Sequence, residues 1–256
     1  VAKELDFSFW KDFRDIAQNA KKDVVLISEI FGDTSQWLQG DRFDGTMNYS
    51  FRETMVDFFA TKRIDNKEFA NSLSNLYSMY SFEALSACQN LLSSHDVRRF
   101  LNQCESNTDG IFGAVFLQAT FPGIAGIYYG DEIGLGGGGD PFNREPFPWD
   151  SEDKWNKDLL KFTSELMNIK VNEPILKYGN FQMVSFDDNY VIFRRKLKNE
   201  SFLCIVNRDK QNKDISIPTS AQNVEAVYGE CELEISSGKL KISDLAENFG
   251  LIIKEI

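Results

Sequence analysis

Three short apolar runs in this 256-residue chain end in acidic residues, and those acids are where it could do chemistry. Val24-Val25-Leu26-Ile27 leads into Ser28-Glu29, and Asn90-Leu91-Leu92 leads into Ser93-Ser94-His95-Asp96. Ile124-Ala125-Gly126-Ile127-Tyr128-Tyr129 leads into Gly130-Asp131-Glu132. A strand covered by helices on both faces reads as a continuous apolar run. An acid at its end stands on the rim, where barrels of alternating strands and helices keep their reactive groups. Several acids on one rim, in a chain with a single histidine, point to carboxylate acid/base chemistry on a neutral substrate.

Each residue has a chemical reading and a plainer one. Glu29 at the end of a buried strand loses water, which favours its protonated form and suits a general acid; the plainer reading is a rim glutamate paired with an arginine. His95-Asp96 does not suit a Ser-His-Asp triad, whose base and orienting acid come from separate places in the chain. A zinc site needs more His or Cys than this segment offers. A neutral imidazole bonding a substrate hydroxyl fits better, with Asp96 stabilising positive charge or fixing hydroxyls; the plainer reading of Asp96 is a cap on the next turn. The run Gly136 to Gly139 lacks the Lys-Ser/Thr of a phosphate loop and reads as a flexible rim loop. Trp37 and Tyr49, near predicted rim loops, are candidates for stacking on a sugar. Trp10, Phe51, Phe58, Phe59, Phe69 and Phe82 read as core.

The elements that must carry these residues alternate. Phe9 to Ala20 has helical spacing, with Phe9, Phe13, Ile16 and Ala20 on one face and Ser8 as N-cap. The strand Val24 to Ile27 follows, then a short strand entered from Phe43 and ending at Thr46 to Tyr49. Helices are expected over Phe51 to Phe59 and Asn66 to Tyr80, then the strand before Asp96. Gly110 to Phe121 reads as a helix stopped by Pro122-Gly123. The strand Ile124 to Tyr129, a loop from Gly134 to Asp150 and a helix from Trp155 to Val171 complete this part. After Pro174 the texture becomes β-type, with runs at Phe181 to Phe186, Val191 to Arg195 and Phe202 to Val206 separated by turn residues. The expected division is an α/β unit over 1–174 and an antiparallel β-sandwich domain over 175–256. The β-α-β-α order predicts a parallel sheet with right-handed crossovers, in about four β/α units.

Composition narrows the partners. With 28 basic and 39 acidic residues the formal charge is -11, so nothing forms a patch to neutralise phosphates and no nucleic acid is expected. No apolar run of about 18 residues predicts a membrane span. Cys88, Cys104, Cys204 and Cys231 form no CxxC pair and fit buried thiols in a reducing, cytoplasmic setting. No metal or cofactor is predicted, and no Asp-rich calcium loop is seen. The chain lacks an initiating Met and a signal-peptide pattern, and reads as a fragment or a processed product.

At these motifs the chain resembles the α-amylase superfamily, glycoside hydrolase family thirteen, and its cyclomaltodextrinase and neopullulanase branch in particular. Ser28-Glu29-Ile30-Phe31 is similar to the family block with the general acid/base, and the segment from Leu91 to Phe100 to the block with the His-Asp pair. The segments Trp37 to Asp44, Met47 to Glu53, Ile127 to Glu132 and Asp140 to Arg144 resemble this branch too. Ser28 and Ser93 stand where glycine is common, Phe31-Gly32 replaces the frequent Trp-His, and Val97 replaces threonine.

The resemblance implies the second half of a (β/α)8 barrel followed by an antiparallel all-β C-terminal domain. It implies a retaining hydrolase of α-1,4 links, with α-1,6 links as a second option, in cyclodextrins, pullulan or maltooligosaccharides. Glu29 and Asp96 would be catalytic; His95, Arg99, Asp140, Arg144, Lys3 and Glu4 would bind substrate. It also implies that the chain starts one residue after the nucleophilic aspartate, leaving that residue and four strands upstream and the chain alone inactive. The partners expected are α-glucan oligosaccharides, and either a second copy or a complementing N-terminal half-barrel. The alternative function is a non-catalytic carbohydrate-binding or partner-subunit relative.

Overall fold

The computed structural model describes residues 2–105, 107–208, 213–244 and 249–256. A 3-10 turn, Ala2–Glu4, precedes helix α1, Phe7–Ala20. The cap is Asp6 rather than the expected Ser8: the Asp6 carboxylate accepts the Phe9 amide, and Ser8 donates its hydroxyl to it. A full negative charge at a helix N-terminus meets the positive end of the helix dipole. The expected apolar face of α1 forms but faces outward, with Phe9, Phe13 and Ile16 all exposed.

The first part continues with β1, Ile27–Ser28; β2, Gly45–Thr46; and α2, Tyr49–Met55. Next come α3, Asn66–Met79; α4, Phe82–Ala87; and β3, Gln89–Leu91. Then follow α5, Phe100–Gln103; α6, Gly110–Thr120; β4, Ile124–Gly126; α7, Lys157–Asn172; and α8, Pro174–Tyr178. The helix expected over Phe51 to Phe59 starts earlier and changes pitch, α2 giving way to a π-helical segment at Val56–Ala60. Helix α4 was not expected, because six residues are too few for a readable period; Ser81 starts it by accepting the Ala84 amide.

β1 pairs with β2 and β3 with β4, both parallel, and Met47 bridges to Gln89 to join the pairs in the order β1-β2-β3-β4. Among the described residues β1 and β4 have no strand on their outer sides. Both are shorter than their apolar runs, since a strand lasts only as long as a neighbour answers its ladder. Gly45 lets β2 press against the end of α4, where an added Cβ would fall 2.2 Å from the Ala87 carbonyl oxygen.

Eight antiparallel strands follow: β5, Asn180–Phe186; β6, Val191–Leu197; β7, Glu200–Val206; β8, Ile215–Pro218; β9, Val224–Tyr228; β10, Glu232–Ser236; β11, Lys239–Ser243; and β12, Gly250–Glu255. They form one sheet in the order β5-β6-β7-β12-β9 and another in the order β10-β11-β8. Ile192, Leu203, Ile205, Ile217, Leu240, Ile242, Leu251 and Ile253 fill the apolar layer of this sandwich. The other face of the larger sheet has no separate core. Phe193, Phe202, Cys204 and Ile252 belong to the same buried cluster as Phe51, Phe69, Phe116 and Leu166 of the helices. Phe181 packs at once on Tyr77 of α3, on Phe121 after α6 and on Phe193 of β6. Cys88, Cys104 and Cys204 are buried free thiols, and burial pushes them up to about 11, 12 and 12. No helix among the described residues is long and apolar enough to cross a membrane.

Two buried cations close the C-terminus of α6. Lys170 donates to the Ala119 and Phe121 carbonyls at 3.0 and 3.2 Å, and Arg195 donates to the Thr120 and Gly179 carbonyls. Burial, helped by the Arg195 charge, lowers Lys170 to about 7. The unfolded chain keeps that proton to about 10.4, so between these values it binds more protons than the folded chain and stability rises with pH. The natural chain should therefore gain up to about 4 kcal/mol relative to Lys170→Met between pH 7 and 10, at about 1.4 kcal/mol per pKa unit. Urea midpoints across that range check this; a constant difference would mean that Lys170 stays charged.

Candidate active site

The segment before Glu29 is fixed by the sheet. The Ser28 carbonyl accepts the Met47 amide at 2.8 Å and the Thr46 hydroxyl at 3.1 Å. Glu29 therefore leaves the end of β1 toward the same rim as the end of β3. There the segment 92–99 is stitched in place by buried side chains. Arg52 donates from Nε to the Leu92 carbonyl at 2.8 Å and from a terminal nitrogen to the Arg98 carbonyl at 3.0 Å. Ser93 accepts the Phe100 amide at 2.9 Å, and Ser94 accepts the Asp96 amide at 3.2 Å. Asn143, fully buried, donates its amide to the Ser94, His95 and Val97 carbonyls.

These supports bring three predicted residues together. His95 Nε2 lies 3.4 Å from Glu29 Oε1 and 3.4 Å from Asp96 Oδ1. One nitrogen or oxygen from each of Glu29, His95 and Asp96 lies within 4.8 Å of the others. Arg144 reaches the cluster from the loop after β4: Nε lies 2.9 Å from Asp140 and donates to the His95 carbonyl at 3.0 Å, and a terminal nitrogen lies 3.6 Å from Asp96. Lys3 donates to the Phe31 carbonyl at 2.9 Å, two residues beyond Glu29. Glu4 stands exposed on the same turn, and no ion pair joins it to the cluster among the described residues.

Several expectations meet a different geometry. Glu29 is not buried at the strand end as expected: its side chain is 43% exposed. Arg99, expected to bind substrate, is fully buried, donating to the Tyr129 carbonyl at 2.7 Å and pairing with Asp131 at 3.2 Å. Its guanidinium also lies against the rings of Tyr128 and Tyr129. Trp37 and Tyr49 are 5% and 2% exposed and offer no stacking face. Tyr49 instead bonds Ser94 at 3.0 Å and stacks under Phe31, which is the exposed ring beside Glu29. In the glycine run, Gly137 is fixed at both ends, its amide bonding Asn102 and its carbonyl accepting the Arg99 amide.

Sequence reasoning missed Arg52 and Asn143 as positioning residues. The signal was present: polar side chains inside segments otherwise packed with apolar ones. Asn48 and Asn90 carry the same signal, bonding each other at 2.9 Å beneath the rim. Glu29, His95 and Asp96 are also the trio among the described residues close enough to share a cation. Two open carboxylates bridged by one imidazole suit proton transfer and the binding of sugar hydroxyls equally well.

The family model described as "Alpha amylase, catalytic domain" matches residues 3–179. The chain belongs to the α-amylase family. Among curated relatives of this family member, a cyclomaltodextrinase of Geobacillus thermopakistaniensis is 35% identical over 87% of the chain and 38% of its own length. Neopullulanase 2 of Thermoactinomyces vulgaris is 35% identical over 95% of the chain and 42% of its own length. Among solved structures, a cyclomaltodextrinase aligns over the whole chain with a TM-score of 0.88 at 29% identity, using 44% of its own chain. A debranching enzyme from Nostoc punctiforme aligns over 97% of this chain and 55% of its own, with a TM-score of 0.86 at 27% identity. The chain thus spans about two fifths of the length of these two curated relatives.

Proposed function

We propose that this chain supplies the acid/base side of a retaining α-glucan hydrolase acting on α-1,4 links, and on α-1,6 links in pullulan. The observation that carries the reading is the convergence of Glu29, His95 and Asp96 within 4.8 Å at one rim. Glu29 protonates the departing glycosidic oxygen and then takes a proton from the attacking water, as the acid/base of a retaining pair does. Asp96 and His95 hold sugar hydroxyls and favour the positive charge that develops on the ring. Arg144, Asp140, Lys3 and Glu4 contact neighbouring sugar units, while Arg99 and Asn143 position the His95-Asp96 segment.

A retaining mechanism also needs a nucleophilic carboxylate about 5–5.5 Å from the acid. We assign it to a preceding half-barrel, with residues 1–174 as the second half and 175–256 as an accessory sandwich. The open outer sides of β1 and β4 support this. So do the exposed apolar residues beside them: Phe9, Phe13, Val25 and Ile27 at one edge, Ile124, Ile127, Val171 and Tyr178 at the other. Exposed parallel edges flanked by apolar side chains are surfaces to be paired.

The test is to assay β-cyclodextrin and maltotriose hydrolysis by this chain alone, and by the chain coexpressed with the first four β/α units of a cyclomaltodextrinase. The chain alone should be inactive and the pair active. Hydrolysis by the chain alone would overturn the assignment of the nucleophile. A complex that assembles and binds glucan without cleaving it would make the chain a binding subunit.

A further inference from the structure

One end of the β-sandwich stands open over a polar floor. Side chains alternate between the two faces of a strand. Arg194, Ser201 and Glu255 lie two positions from Ile192, Leu203 and Ile253, so they continue the face that the sandwich buries. Lys196, Ser201 and Glu255 are register partners across β6, β7 and β12, and Gln182 of β5 pairs with Arg194. This polar row floors a groove of about 630 Å³, walled by Pro218 to Gln222 at the end of β8. The wall is held in place: the Thr219 amide donates to the Gly238 carbonyl at 3.1 Å, and the Gln222 amide to the Ile256 carbonyl at 3.0 Å. Glu255, buried in the floor, accepts from two Arg194 nitrogens at 2.7 and 3.0 Å, from Ser201 at 2.7 Å and from Thr219 at 3.1 Å. Burial alone would raise this carboxyl, but the bonds from Arg194, Ser201 and Thr219 hold it below its ordinary value. Closing a sandwich does not require such a pair, since apolar side chains of similar volume often stabilise a fold as well or better.

We propose that this groove binds a small phosphorylated sugar. Its donors outnumber its acceptors. Glu255 is the one acid that lines it and its oxygens are occupied, while Arg194 and Lys196 leave a surplus of positive charge. Among the described residues no ion pair or hydrogen bond engages the Lys196 ammonium. A phosphate is a compact anion with several acceptor oxygens, and lysine meets it as a point charge. Gln182, Asn199 and Gln222 add side-chain amides, which both donate and accept and so suit sugar hydroxyls. An uncharged glucan would leave the ammonium without a counter-charge, and no aromatic ring lines the groove to take a sugar face. The formal charge of -11 does not exclude a single anion, because at physiological salt charges beyond about 8 Å are largely screened. None of the lining residues belongs to the acid cluster, so the proposal stands apart from the α-glucan reading.

The experiment is a calorimetric titration of this chain with glucose 6-phosphate, inorganic phosphate and glucose, repeated on Lys196→Gln, Gln182→Ala and Lys161→Gln. All three replaced side chains are exposed, and melting temperature checks that each variant folds. Glucose 6-phosphate should bind about tenfold more tightly than inorganic phosphate, and glucose should show no binding at about 10 mM. Lys196→Gln should weaken glucose 6-phosphate about tenfold, the worth of a hydrogen bond to a charged group. Gln182→Ala should weaken it about threefold and leave inorganic phosphate unchanged, since a neutral bond is worth less. Lys161→Gln, a cation removed from α7, should change neither. Inorganic phosphate binding as tightly as glucose 6-phosphate would overturn the proposal, because the sugar would then contribute nothing. So would glucose 6-phosphate binding that Lys196→Gln leaves intact, or glucose binding as tightly as its phosphate. No binding of glucose 6-phosphate at about 10 mM would overturn it as well, and none of these results bears on the hydrolysis assay of the completed barrel.

Discussion

Glu29→Gln in the completed enzyme should lower maltotriose turnover by about 10²–10⁴-fold, the range for losing a positioned general acid/base. Glutamine keeps the shape of the side chain and can still bond His95, which lies 3.4 Å from the Glu29 carboxylate. What it loses is the transferable proton. A maltoside with a nitrophenyl leaving group needs no proton to depart, so its glycosyl-enzyme should still form at a rate close to the natural enzyme's. Water would then lack its base, and the covalent intermediate should accumulate as a burst. Azide, which attacks without losing a proton, should restore steady turnover and yield a glycosyl azide of retained configuration. Equal losses on the sugar and nitrophenyl leaving groups, with no azide rescue, would remove Glu29 from the acid/base role. The side chain's openness makes this contrast informative, because solvent and azide can reach the place where it stands.

The second large effect concerns stability. Arg99→Met should destabilise the fold by about 3–5 kcal/mol, the usual cost of removing one partner from a buried ion pair. At roughly 2–4 °C per kcal/mol for a chain of this size, that is a fall of about 10 °C in melting temperature. The cause is what remains behind. Asp131 lies buried with Arg99 as its counter-charge, and burial already pushes its carboxyl up to about 7 despite Ser93 and that arginine. Without the guanidinium the acid is held higher still. The variant's folded form then keeps this proton above about 7, where the natural folded form and the unfolded form have both lost it, so the deficit should grow as pH rises beyond about 7. Asp131→Asn in the same chain should recover part of the loss and flatten that dependence. A melting temperature unmoved by Arg99→Met would mean that the arginine is not a strut.

The Glu29-His95-Asp96 cluster was readable from sequence because each member follows a short apolar run of strand type. The rim position of Glu29 and Asp96 follows from that alone, and the structure puts them side by side. Their surroundings were less readable. Whether Tyr49 is a platform or a buried post depends on which side of α2 meets Phe31, and local spacing does not contain that. Arg99 reads as a rim charge in sequence; its burial depends on two tyrosines thirty residues later folding over it. Helix α1 shows the reverse case. Its apolar face was correctly periodic, but periodicity does not say what the face meets, and here it meets solvent. The short strands fell below their expected lengths because pairing, not composition, decides where a ladder stops. In the sandwich three strands were legible as apolar runs between turn residues, while β8 and β11 alternate but, at 4 and 5 residues, are too short to stand out.

Phe181 touches a helix, a helix end and a neighbouring strand in one place, and that junction limits how freely the parts of this molecule can be exchanged. A β-sandwich from another chain would have to meet Tyr77 and Phe121 with a side chain that fits them as Phe181 does. The larger sheet and the helices it leans on share one core and cannot be exchanged independently. Drift on either side of the junction must be answered on the other, even though neither side contributes a side chain to the acid cluster.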